Sequence, residues 1–470
     1  MDITAFLNQV DALVWGPPMI ILLLSCHIYT TIRTKGIQRK LPLALKMSVT
    51  SDDAAGDVSN FGAMVTALAS TLGTGSIVGV GTAILAGGPG AIFWMWVTGV
   101  LGMATKYTEV YATLKYRVRD ADGRMMGGAM HVWTQRFKRS DGSVPWWAKF
   151  AALWFSIFAL FTIIGVGSAV QNSAMTGVVV ANFGFDPAIV SAVICVSALA
   201  IIFGGLKSIS KICETLVPFM AAAYIIGCIA ILVMNSAYLG EALMMIITCA
   251  FTPQGAFGGA VGSGILVALQ FGCARGLFSN EAGLGTAPIV ASAASTKNPA
   301  RQSLAAMTGV FWCTVVVCLL SGMVMVSAMC AHPEIVTNGM VTSGAELANA
   351  VFGTIPYVGT PILLLGILCF AFSTIIGWGY YGDRVITYLL GGKWVKPYLV
   401  VYIAAGFLGG IGVGDVAWLA ADIANALMAL PNIILVFLMT GLVAKETQYF
   451  VHEGHIDEEV HEEVPEFVRK

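Results

Sequence analysis

Residues 270–296, QFGCARGLFSNEAGLGTAPIVASAAST, place polar and ionisable side chains in an apolar stretch long enough to cross a membrane. Arg275, Asn280 and Glu281 stand where hydrocarbon would otherwise surround them, and Gly272, Gly276, Gly283, Gly285 and Pro288 interrupt a clean helix. An unsatisfied backbone group is costly in lipid, so broken backbone survives there only against other protein or a water-filled cavity. Ionisable residues at such a depth are functional candidates. Arg275, Glu281 and Glu109 are each expensive if buried alone. Arg275 and Glu281 are six residues apart, on different faces of a continuous helix, and a break between them changes that geometry. Structural or gating ion pairs suit these three better than direct substrate contact.

A second stretch has the same character. Glycine recurs through residues 62–90, around the centre Ser70–Val78, STLGTGSIV. A broken helix has direct chemical uses. The N–H groups at the start of its second half carry partial positive charge and attract a carboxylate. The freed carbonyls of the first half attract a cation. Thr74, Gly75 and Ser76 are therefore candidates to bind a substrate carboxylate, against the plainer reading of a hinge or a close helix contact. Gln171 can donate and accept at once, which suits a zwitterion. The plainer reading is an interhelical hydrogen bond.

The elements that must carry these groups follow from composition. The chain is 57% hydrophobic and 11% charged, with a mean hydropathy of +0.82. Soluble domains carry about 25% charge, so this is an all-α polytopic membrane protein. Apolar runs predict eleven spans, near 13–32, 58–84, 91–114, 147–180, 187–206, 213–236, 262–295, 302–330, 357–386, 397–414 and 417–444. Two shorter helices, near 240–250 and 343–352, are expected at the outer surface. All but two of the 25 lysines and arginines fall in alternate connections, and the connections between carry none. The positive-inside rule then puts the N-terminus outside and the C-terminus in the cytoplasm of a multi-pass plasma (inner) membrane protein. No cleavable signal is evident, and Trp15–Tyr29 reads as a retained helix. Ten scattered cysteines without a CxxC pair read as small packing residues. The chain divides into an extra helix with its linker (1–50), a core (51–445) and an acidic tail (446–470). The tail, with His452, His455 and His461, is expected to be solvated or disordered rather than metal-binding.

The two broken spans are five helices apart and so run in opposite directions. That is the signature of a 5+5 inverted-repeat transporter whose discontinuous helices meet near the midplane, with span 13–32 as an extra helix. A channel would need a continuous lined pore, and no filter repeat is visible. HExxH, GxSxG and Walker A sequences are absent, so neither an intramembrane enzyme nor ATP-driven transport is expected.

GCARGLFSNEAGLGTAP (272–288) resembles the hallmark of the sodium:alanine (alanine or glycine:cation) symporter family. LGTGSIVGV (72–80), GGPGAIFWMWVTGVLGMATKYTE (87–109), VQNS (170–173), GGLKSISKICETLVPFM (204–220), FSTIIGWGYYGDR (372–384) and DIANALMALPN (422–432) are similar to it too. The resemblance spans about residues 55–445. It implies a LeuT-type fold, and import of alanine or glycine coupled to Na⁺ by alternating access. It also implies Na⁺ ligands, the hydroxyls of Ser373 and Thr374 with the carbonyls of Ala69 and Leu72. The plainer role for the hydroxyls is a bond to a carbonyl one turn back. Phe271, Cys273, Gly276 and Trp378 would wall the pocket, although a membrane tryptophan is also a common packing residue. This chain departs from the family pattern at Ser76, where the family reads Asn, and at Cys313, where it reads Asp; both changes give a smaller or softer group. No cofactor is expected beyond Na⁺ as coupling ion. The expected partners are the amino acid, sodium and the bilayer, with no nucleic acid and no obligate protein. The alternative is an H⁺-coupled carrier of the same fold, for which Glu281 is the attractive carboxylate.

Overall fold

The computed structural model describes residues 3–252, 264–337, 339, 341–412, 414–460 and 463–467, the side chains of 414–417 excepted. Gly255, Gly258, Gly259, Gly262 and His461 lie outside the described residues. The first half of the chain forms α1 (Ile3–Val14), α2 (Pro17–Arg33), α3 (Leu41–Ser48), α4 (Asn60–Thr71), α5 (Val78–Gly87) and α6 (Gly90–Lys115). A small hairpin, β1 (Val118–Arg119) with β2 (Met125–Met126), leads to α7 (Ala129–Arg136), α8 (Trp146–Ile164), α9 (Gln171–Phe183), α10 (Pro187–Ile202), α11 (Gly205–Met234) and α12 (Leu239–Phe251). Then come α13 (Ile265–Asn280), α14 (Ala287–Ala291), α15 (Pro299–Val310), α16 (Leu319–Ala331), α17 (Glu334–Thr337), α18 (Gly344–Gly353), α19 (Gly359–Leu389), α20 (Val395–Gly410) and α21 (Gly414–Thr447).

Each of the eleven apolar runs coincides with one or more of these helices, and α12 and α18 take the places of the two shorter ones. Among the described residues, six helical stretches are long and apolar enough to cross a membrane unaided, among them 146–183, 299–331 and 359–389. The two broken runs are divided into shorter pieces. Helix starts follow their local chemistry. Asp186 accepts from the Ala188 and Ile189 N–H groups and Pro187 opens α10. Asn298 accepts from the Arg301 N–H and Pro299 opens α15. Ser343 and Glu346 form a capping box on α18.

The seventh run breaks at Gly283 and Gly285, as expected, but not at Gly272 or Gly276. Helix α13 passes unbroken through Gly272 and Gly276 to Asn280. Both glycines are packing residues. A Cβ at Gly272 would lie 2.5 Å from the Ala91 carbonyl oxygen, and one at Gly276 would lie 2.6 Å from Thr98 Oγ1, so each lets α6 approach closely. The chain turns instead at 281–286, where Glu281, Gly283 and Gly285 take φ of 56°, 99° and 80°.

Helix α5 packs along α13, while α4 packs along α14. The two broken segments therefore lie side by side in opposite directions, as an inverted repeat requires. Two sets of helices pack together, one of α4, α6, α13, α14 and α15 and the other of α8, α9, α10, α19 and α20, and α4 lies as closely against α19 across the boundary as against its own set. The added N-terminal helices lie against α21 and α6.

The acidic tail differs from expectation, because its described residues are docked rather than solvated. The Val460 N–H donates to the Lys297 carbonyl (2.8 Å) and the Phe467 N–H to the Arg119 carbonyl (2.7 Å). The Phe467 ring sits 5.0 Å from His131 and 5.7 Å from Tyr388. His452 Nε2 meets the Thr34 carbonyl at 3.1 Å and His455 Nδ1 meets Glu458 at 2.7 Å. Burial, with Arg384 adding to it, pushes the His131 pKa down to about 3, so this ring is neutral at ordinary pH and packs as an aromatic. Backbone hydrogen bonds and the Phe467 ring contacts do the docking. The tail meets the connections that hold the basic residues.

Candidate functional site

Helix α4 stops where Gly73 takes an extended conformation, φ −107° and ψ −159°, and a single tight turn at 74–76 leads into α5. Most donors of the turn are occupied. The Ser76 N–H bonds the Gly73 carbonyl (3.1 Å) and the Ile77 N–H the Thr74 carbonyl (3.2 Å). The Thr74 N–H donates to Gln171 Oε1 at 3.1 Å. Two groups remain: the Thr74 hydroxyl, buried without a partner, and the Gly75 N–H, which has no acceptor among the described residues. Buried polar groups are normally paired, so an unpaired hydroxyl beside an unpaired N–H is a place for a ligand acceptor. Gly75 also faces the last turn of α13. A Cβ there would lie 2.9 Å from Phe278 Cδ1 and 3.5 Å from the Ser279 Cα.

Two π-helical turns flank this break. Gly165–Val170 precedes Gln171, whose Nε2 donates to the Val166 carbonyl at 3.1 Å and so turns its oxygen toward Thr74. Phe311–Cys318 brings Cys313 to within 3.4 Å of the Ser76 hydroxyl and 3.2 Å of the Ser279 hydroxyl. Such turns widen a helix and recur at functional sites.

The freed carbonyls of α4 face α19. The Ala69 carbonyl accepts from Ser373 Oγ (3.0 Å) and Thr374 Oγ1 (3.1 Å). Each hydroxyl also lies 2.9 Å from the Phe370 carbonyl. A hydroxyl has one proton and two lone pairs. Four oxygens thus converge with acceptor capacity to spare, a donor set that suits a hard cation. Leu72, expected as a fourth ligand, is buried at the end of α4; the two hydroxyls bond Ala69 and Phe370 rather than its carbonyl.

The expected pocket walls separate. Trp378 is beside the break, but its indole N–H donates to the Ser70 carbonyl at 3.0 Å, and its Cβ lies 2.5 Å from where a Cβ on Gly167 would stand. It caps a freed carbonyl and packs on the π-helical turn. Phe271 lies beside Gly87, at the far end of α5. Cys273 is fully buried six residues before Ser279, about 9 Å along the helix axis. Gly276 faces α6. The structure brings Thr74, Gly75, Ser76, Gln171, Ala69, Ser373 and Thr374 together and sets Phe271, Cys273 and Gly276 apart. Phe278 and Ser279, which sequence reasoning passed over, stand at the break instead.

The charged residues are elsewhere and paired. Arg275 Nη2 meets Asp422 Oδ2 at 2.7 Å. Its guanidinium lies over the rings of Phe278 (5.8 Å) and Trp418 (5.6 Å), themselves 5.3 Å apart. At the second break, Lys106 Nζ donates to the Glu281 carbonyl (3.0 Å) and lies 3.5 Å from Glu109. Glu109 Oε2 accepts from the Gly283 N–H (3.2 Å) and from Asn432 Nδ2 (2.9 Å), which also donates to the Gly283 carbonyl (2.8 Å). Glu281 Oε2 accepts from Thr286 Oγ1 at 2.5 Å. Lys106, Glu109, Asn432 and Thr286 thus hold the second break.

Comparison with known proteins bears on the fold and the family. The sodium/alanine symporter AgcS of Methanococcus maripaludis is 41% identical over 455 residues, 96% of this chain and 98% of that protein. The solved structure of MhsT in complex with L-phenylalanine superposes with a TM-score of 0.59 at 14% identity, covering 85% of this chain and 99% of that one. A substrate-bound, outward-open Na⁺-coupled sialic acid symporter gives 0.51 at 13% identity, covering 93% and 88%. These two show the fold, the LeuT-type inverted repeat. The profile of the sodium:alanine symporter family matches residues 1–464, and the chain belongs to that family.

Proposed function

We propose that this protein imports a small neutral amino acid, alanine or glycine, together with Na⁺ by alternating access across the plasma membrane. The carrying observation is adjacency. A Cβ on Gly73 would lie 2.8 Å from Thr374 Oγ1 and 3.1 Å from Gln171 Oε1. The oxygen cluster suited to Na⁺ and the unpaired donors suited to a carboxylate are thus one residue apart. In this reading Thr74 and Gly75 take the carboxylate, Gln171 positions the turn, and Ala69, Ser373 and Thr374 hold the ion. Phe278 lies over the site, and the Arg275–Asp422 pair with Trp418 closes it from the other side of that ring. The protein makes and breaks no covalent bond, needs no cofactor, and holds its N-terminus outside and its tail in the cytoplasm. Proton coupling through Glu281 is the weaker reading, because that carboxylate is bound to Thr286 at the second break. Uptake of labelled alanine into proteoliposomes with and without an inward Na⁺ gradient tests the proposal. Gradient-driven accumulation is expected; equal uptake with a proton gradient alone would reverse the ion assignment.

A further inference from the structure

The docked tail joins the two helix sets across one face. On one side, Asn298 Nδ2 donates to the Ile456 and Glu458 carbonyls, both at 2.8 Å, and Arg301 pairs with Asp457. Both residues begin α15, in the set that carries the broken helices. Arg301 also holds Asp52 at 2.7 Å, on the chain leading into α4. The Arg119 N–H, in the hairpin that follows α6, donates to the Pro465 carbonyl (2.9 Å), and on the other side the Phe467 ring rests on Tyr388 of α19. It also rests on His131 of α7, which packs on α8. Beneath these contacts the chain before α4 meets the end of α14. The Ser295 N–H donates to the Val58 carbonyl (2.8 Å), and Arg117 donates to the carbonyls of Ser292 (3.1 Å), Ala294 (2.9 Å) and Ala55 (3.1 Å).

The candidate site lies between the same two sets, since Ala69 of α4 meets Ser373 of α19 and Thr74 meets Gln171 of α9. Alternating access moves one set against the other around such a site. A segment bonded to both sets on one face opposes opening to that face.

We propose that residues 456–460 and 463–467 act as a latch on the basic face, with Asn298, Arg301 and Phe467 as positioning residues that set how often the site opens there. The inference rests on the transport reading for its consequence, though not for the docking itself. An acidic strap on a basic face is screened by salt, so release is easier at high ionic strength.

Two proteins test it in proteoliposomes of known orientation: the full chain with Phe467→Ala, and a chain ending at Glu453. Amide exchange is read at 52–58 and 292–298, and apparent alanine affinity is read from each side. A latch predicts exchange faster by about three- to tenfold at those segments, as expected of a modest population shift. It also predicts affinity falling from outside while rising from the basic face, with Phe467→Tyr restoring both. Unchanged exchange in folded Phe467→Ala overturns the proposal. So does an equal change of affinity from both sides, which is what a merely structural segment would give. If the intact chain shows no Na⁺-driven uptake, the transport reading fails, and the exchange arm alone still decides whether the tail restrains these segments.

Discussion

The two helix breaks use the same backbone device and surround it in opposite ways. At 73–77 the turn is uncharged, tightly covered by Phe278, and left with an unpaired hydroxyl and N–H. At 281–286 the turn is bound by Lys106, Glu109, Asn432 and Thr286. An inverted repeat supplies two polar interruptions of the membrane, and the two differ in the charged side chains that hold one and are absent from the other. Charge density is therefore a poor guide to the site here. In the proposed reading the charged break is the anchor, and the plain one is the receptor.

The comparison breaks most sharply at Gly75. Gly75→Val puts a branched side chain into Phe278 and blocks the free N–H. Loss of a hydrogen bond to a charged carboxylate, about 1.5–3 kcal/mol, with the added clash predicts more than a tenfold loss of alanine affinity. Calorimetry on purified, monodisperse protein checks this; near-native binding would move the substrate elsewhere. Asn432→Ala should fail differently. It removes two bonds and leaves Glu109 short of a donor, which predicts a stability loss of about 3 kcal/mol in the range seen for broken buried charge networks. Thermal unfolding should drop while the folded fraction still binds alanine. Weak binding at full stability would mean that the second break is part of the receptor.

Double substitution Ser373→Ala with Thr374→Ala sharpens the cation half. Half-saturating Na⁺ for uptake should rise by roughly tenfold, about 1.4 kcal/mol. An unchanged Na⁺ titration would leave these hydroxyls as ordinary caps on the Phe370 carbonyl. The smallest effect is expected at Trp378. Its bond to Ser70 makes it a cap on α4, so Trp378→Phe should cost about 1 kcal/mol of stability or less and leave substrate choice alone. A substrate profile shifted toward larger amino acids would instead place that ring in the pocket wall.

The helices were legible because membrane burial demands long apolar runs, and that demand is insensitive to detail. The first break was legible because Gly73, Thr74, Gly75 and Ser76 combine conformational freedom with polar groups. The second was legible at Gly283 and Gly285, where the chain turns, but not at Gly272 and Gly276, which look like hinge glycines yet serve close packing against α6. Sequence does not distinguish a glycine that lets the backbone turn from one that lets a neighbour approach. Phe271 and Phe278 pose a similar problem. They are seven residues apart, two turns of one face, and only the register of α13 against the first break selects Phe278. The π-helical turns at 165–170 and 311–318 have no sequence signal in single residues, yet they aim Gln171 and Cys313. The tail was misread because charge alone suggested solvation, whereas its partners lie far away in sequence.

Gly73 has no side chain, and that absence sets the thickness of the wall between Thr374 on one side and Gln171 on the other. If the proposed site is right, two ligands held so close cannot be independent. Whatever factor Na⁺ contributes to alanine affinity, alanine must contribute to Na⁺ affinity, since the two orders of binding end in the same complex. A residue of any size at 73 would thicken the wall and weaken that reciprocity, yielding a carrier that binds each ligand and leaks one without the other.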